Sequence, residues 1–127
     1  MIETKNKGLL WVDCIGGLLA GSLVLPLSHM VASWDGLPQG VIIFTGAANL
    51  IYGCFSLNLA LREKRSMTMI SILAWANMFW LLVCCLLTAT WWSQISLFGI
   101  VHLIGEGIYV AGLGAAEWHN RESLTSA

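Results

Sequence analysis

Val101-His102-Leu103-Ile104-Gly105-Glu106-Gly107-Ile108-Tyr109 lies in the middle of an apolar run covering residues 95–116. On a helix, His102 and Glu106 share a face, and Tyr109 lies about one turn further along. A bilayer's hydrocarbon core of ~30 Å takes roughly 20 apolar residues in helical form. The run is therefore long enough to span, and the His–Glu pair falls near the centre of the span. A carboxylate and an imidazole at that depth are costly and call for partners or a task.

Working outward, three more runs of spanning length precede this one, at residues 9–27, 41–61 and 67–89. The pattern predicts an all-α fold, a four-helix transmembrane bundle forming one domain over residues 1–127. The breaks between runs are short, so helices consecutive in sequence are expected to be antiparallel neighbours. Composition agrees: the chain is 57% hydrophobic and only 10% charged, where a soluble domain carries about a quarter charged residues. Net charge is −1, and there is no basic patch of the size nucleic-acid binding needs. The expected partner is the lipid bilayer of a cell (inner or plasma) membrane.

Lys5 and Lys7 ahead of the first run, with Val31-Ala32-Ser33 after it, resemble a signal peptide and its cleavage site. The run is long for such a segment and contains Asp13, so it reads as a retained membrane helix. Pro26 is expected to kink it near its far end. All six Lys and Arg residues (Lys5, Lys7, Arg62, Lys64, Arg65 and Arg121) fall on one side of this topology. The opposite loops, holding Asp35 and Trp91-Trp92-Ser93-Gln94, have none. Both termini are therefore expected in the cytoplasm. Trp11 and Trp118 would mark the inner interface, and Trp34, Trp91 and Trp92 the outer one.

Each helix carries a stripe of polar or small residues at helical spacing. The first has Asp13, Gly16, Gly17 and Ala20; the second Thr45, Asn49, Tyr52, Gly53 and Ser56. The third has Asn77, Trp80, Cys84 and Thr88; the fourth His102, Glu106, Tyr109 and, near its end, Glu117. Opposite the last stripe, Leu97, Ile104 and Ile108 suit lipid. The stripes are expected to turn inward. Gly16, Gly17, Ala20 and Gly21 would let another helix approach closely, within the bundle or across a dimer.

The candidate ligand or proton site is His102, Glu106, Tyr109, Asn49, Tyr52, Asn77, Trp80 and Asp13. No Lys or Arg lies inside any span. Glu106 is therefore protonated, paired with a protonated His102, or neutralised by a bound cation. The Asn residues would hydrogen-bond each other or Glu106, as interhelical ties or as part of a site for an ion, a small molecule or a lipid. Cys14, Cys54, Cys84 and Cys85 all fall in apolar runs and read as small core residues. His29, His102 and His119 lie at different depths and do not pair as haem ligands. No catalytic nucleophile, metal-ligand spacing or cofactor motif accompanies the pair, so no cofactor is expected.

Trp11-Val12-Asp13, Asn49-Leu50-Ile51-Tyr52-Gly53 and Gly105-Glu106-Gly107-Ile108-Tyr109-Val110 with Glu117-Trp118 together resemble small four-helix bacterial integral membrane proteins of unassigned function. That resemblance implies a fold and no activity. Small multidrug-resistance exporters are similar in length, helix count and an early acidic residue, here Asp13. The surroundings of Asp13 differ from their motif, and Glu106 has no counterpart in it. Cys84-Cys85 resembles the vicinal pair of small mercury-transport membrane proteins, without the rest of that pattern.

The residues thus support binding or transport of an ion or small molecule with a proton-linked Glu/His pair. The alternative is a structural or accessory subunit whose polar residues only lock packing. A membrane-embedded enzyme ranks third. Four short helices enclose little volume, so a substrate path is expected to need a homo-oligomer or a larger membrane complex.

Overall fold

The computed structural model describes the backbone of residues 2–125 and the side chains of residues 8–125. Lys5 and Lys7, which enter the charge asymmetry, lie outside the described side chains. The described residues form six helices: α1 (Ile2–Val24), α2 (Ser28–Asp35), α3 (Gln39–Leu61), α4 (Met67–Thr90), α5 (Leu97–His119) and α6 (Arg121–Thr125). Three of them, α3, α4 and α5, are each long and apolar enough to cross a membrane; α1 with α2 makes a fourth candidate if the bent pair is one span.

The bend corrects the expected first helix. α1 stops at Val24, and α2 leaves it at 92°. Pro26 explains the break: it has no N–H to continue the ladder, and its ring clashes with the carbonyl of the preceding turn. α2 then closes on Gly36, whose φ of +71° is left-handed and whose N–H bonds Ala32 O at 2.9 Å. The stretch around Asp35, expected as a loop, is thus the end of a helix. The starts of α4 and α5 are capped by serines. Ser66 Oγ accepts from Met69 N at 3.1 Å, and Ser96 Oγ from Gly99 N at 3.0 Å.

Sequence neighbours do not all become close neighbours. α1 packs mainly on α3, and α4 mainly on α5, whereas α3 and α4 touch only lightly. Small residues explain the two tight pairs. A Cβ on Gly17 would stand 2.7 Å from Asn49 O and 3.1 Å from Gly53 Cα; one on Gly114 would stand 2.6 Å from Ala74 O. Backbones meet at these points because nothing projects between them. The Gly16–Gly21 surface therefore packs within the bundle. Between α3 and α4 stand aromatic rings instead: Trp80 lies 5.7 Å from Tyr52 and 6.0 Å from Phe44, centroid to centroid.

The bundle is thus two helix pairs meeting along a seam. An apolar cluster closes each end of it. Val31, Ala32, Leu37, Ile42 and Leu103 are buried at the α2 end. Leu10, Leu59, Ile70, Leu73 and Leu124 are buried at the α6 end. α6 is fastened there by Arg65, whose Nε donates to Leu124 O at 2.7 Å. Outward faces are apolar: Ile15, Leu19, Ile51, Phe79, Leu86, Leu97 and Ile108 are all exposed, while Ile104 is half-buried. Asp13, Asn49, Asn77 and Glu117 are buried. A bundle folded in water buries the first set and exposes the second. Cys14 and Cys84 are buried as core residues, but Cys54 and Cys85 are exposed, because helical spacing turns them to the outer face.

Candidate functional site

The polar residues meet in the seam. Asn77, on α4, donates from Nδ2 to Asp13 Oδ2 of α1 at 2.7 Å and to Glu117 Oε1 of α5 at 2.8 Å. An amide nitrogen has two hydrogens, and both are used. Asp13 is one turn from Leu10, and Asn77 one turn from Leu73, so this cluster begins where the apolar cluster of the α6 end stops.

A second cluster lies toward α2. Asn49, on α3, donates to Glu106 Oε1 of α5 at 2.5 Å. Glu106 Oε2 lies 3.8 Å from His102 Nε2. The other ring nitrogen, His102 Nδ1, lies 2.6 Å from Asp35 Oδ2 at the end of α2. With a proton on Nδ1, His102 donates to Asp35 and turns Nε2 toward Glu106. The 3.8 Å gap is too long for a hydrogen bond. Carboxylate, imidazole and carboxylate therefore run in series from Asp35 to Glu106.

Between the clusters is a cavity of about 90 Å³, whose polar lining is Asp13, Asn49, Tyr52, Asn77, Glu106 and Tyr109. It has room for a few waters and is well below the ~300 Å³ at which organic-ligand pockets begin. Five buried polar atoms here and beside it have no hydrogen-bond partner: Asp35 Oδ1, Asn77 Oδ1, Trp80 Nε1, Glu106 Oε2 and Glu117 Oε2. Buried polar atoms are ordinarily satisfied, so such a concentration asks for added protons or water.

Six of the eight residues singled out from the sequence thus line one cavity, with His102 a turn from Glu106 and Trp80 packed against Tyr52. Tyr109 is half exposed and forms an outer wall, its ring beside Gly16. The Tyr52 hydroxyl donates to Ala76 O at 3.4 Å. Thr45, Ser56 and Thr88 take no part, because their hydroxyls bond carbonyls of their own helices. Asn49 and Asn77 do not pair with each other; Asn49 ties Glu106, and Asn77 ties Asp13 and Glu117.

Two members escaped the sequence-derived set. Asp35, which the sequence sets in a loop, is 0% exposed. The available signal was the spacing of Val31, Ala32 and Asp35, one face of a short helix after Pro26. Glu117, at the tail of the last helix's stripe, is as buried as Asn77. Among the described residues, no three His, Cys, Asp or Glu side chains converge as metal ligands. Comparison with protein-family models, curated proteins and solved structures finds no match to this chain.

Proposed function

We propose that this chain is a multi-pass inner-membrane protein, with both termini in the cytoplasm, that binds and moves protons or a small cation linked to them. One observation carries the reading. Glu106 stands in the wall of a small cavity in the helix-pair seam, tied to Asn49 and in series with His102 and Asp35. Intramembrane carboxylates facing a cavity mark ion and proton routes. The cavity's size favours a proton, water or a bare ion over an organic substrate. A second copy or a larger complex would extend the route, and native mass spectrometry reads which assembly exists.

The test is proton flux into liposomes carrying the purified protein and an internal pH-sensitive dye. Glu106→Gln keeps an oxygen for Asn49 but cannot ionise. The parent should conduct, and the folded Gln variant should not. Equal flux in both, or none in the parent, would favour the accessory-subunit reading. That reading has its own support: the Asn49–Glu106 and Asn77–Asp13 hydrogen bonds cross the seam and hold the pairs together, each contributing ~0.6–2 kcal/mol.

A further inference from the structure

We propose that Asp13, Asn77 and Glu117 form a second proton-holding site, joined to Glu106 through water in the seam cavity. The site itself stands apart from the reading of Glu106; its use as a second station on a route rests on that reading.

Two carboxyls from different helices converge on one amide, and all three side chains are at least 95% buried, with Asp13 5%, Asn77 0% and Glu117 0% exposed. Among the described residues no Lys, Arg or His pairs with either carboxyl. Glu117 accepts from Asn77 of α4, which also donates to Asp13 of α1, and Leu124 of α6 belongs to the apolar cluster beyond them. Two bare carboxylates in such surroundings, with one neutral amide between them, are too costly to coexist.

A single proton resolves this. Asp13 Oδ2 and Glu117 Oε1 lie 2.7 and 2.8 Å from the same Asn77 nitrogen, so the two carboxyls are close neighbours, and a hydrogen held by one of them relieves their repulsion. Asn77 has none left, since both its N–H groups are committed. A proton on Glu117 Oε2 also turns a partnerless acceptor into a donor.

The two carboxyls are not equivalent. Asp13 lines the cavity and Glu117 does not. Leu10, Leu73 and Leu124 close the α6 end beyond them. Glu117 is therefore the store and Asp13 the port. Glu117 passes its proton to the Asp13 carboxylate; Asp13 passes one to cavity water, and the water to ionised Glu106. Only O–H bonds break and form, and one positive charge moves from the α6 end toward the α2 end.

Infrared spectroscopy of the protein in liposomes tests the site without altering it. Glu106→Gln protein is made with carbon-13 in its glutamate carboxyls. A protonated-carboxyl band should persist at neutral pH and shift with the label. Glu63 and Glu122 are exposed, and loss of the band in Glu117→Gln assigns it to the buried carboxyl. Absence of a label-sensitive band overturns the proposal, as does a band that survives in folded Glu117→Gln or vanishes when sodium is added, the mark of a cation site. In Asp13→Asn, exchange of the Glu117 proton for deuterium should slow on the order of a hundredfold, the lower end of what a positioned proton carrier contributes. Unchanged exchange removes Asp13 as the port. If the parent liposomes conduct no protons but the band is present, the transport reading fails and the second site stands.

Discussion

His102 Nδ1 and Asp35 Oδ2 stand 2.6 Å apart, joining α5 to α2, the helix that follows the bend. Asp35 is fastened twice, since its backbone carbonyl also accepts from Ser96 N at 2.8 Å, at the start of α5. The bend at Pro26 turns α2 toward α5 and carries this carboxylate inward.

Removing that carboxylate should therefore loosen α2. Asp35→Ala is expected to cost about 1.5–3 kcal/mol, the range for a hydrogen bond to a charged group. Asp35→Asn keeps an oxygen for His102 and should lose less. Thermal unfolding in detergent reads both. A melting temperature for the Ala variant equal to the parent's would mean that the contact does not hold α2.

The glycines of α1 and α5 divide into two kinds, and alanine should separate them. At Gly17 and Gly114 a Cβ would come within 2.7 and 2.6 Å of a carbonyl oxygen on the partner helix. Gly17→Ala and Gly114→Ala should each lower stability by ~1–3 kcal/mol through overpacking. At Gly105 and Gly112 a Cβ would meet nothing within 4 Å. Alanine there should be neutral or slightly stabilising, because it favours the helix. Equal effects at all four positions would contradict the pairing of α1 with α3 and of α4 with α5.

Orientation rests on charge placement and is open to labelling. Ser33 and Lys64 are exposed at opposite ends of the bundle. In a background without the native cysteines, Ser33→Cys should react with an impermeant maleimide in intact cells. Lys64→Cys should react only after the membrane is opened. The reverse pattern would place both termini outside.

The long helices were legible because their signal is local. Runs at 41–61, 67–89 and 95–116 became Gln39–Leu61, Met67–Thr90 and Leu97–His119. Length and apolarity decide such segments before any tertiary contact forms. α2 was not legible: Trp34-Asp35-Gly36-Leu37-Pro38 carries strong turn chemistry, and an eight-residue helix has little periodicity to set against it. The burial of Asp35 depends on where α5 passes, which nothing near Asp35 encodes. The meeting of polar stripes was foreseeable from their spacing, but their partners were not. Asn49 reaches Glu106, and Asn77 reaches Asp13 and Glu117, because close contacts at Gly17 and Gly114 set the rotation of each pair.

The pairing also sets an order of assembly during synthesis. α1 and α3 are complete at Leu61, before any residue of α4 has been made. They can close on each other at once, and Asp13 and Asn49 then wait without Asn77 and Glu106. An emerging chain must shield those two polar groups, by water at the insertion site or by a helper, until residues 67–119 arrive. The seam is the last surface to be made, and a ribosome that stalled at the start of α5 would leave Asn49 without Glu106 and Asp35 without His102.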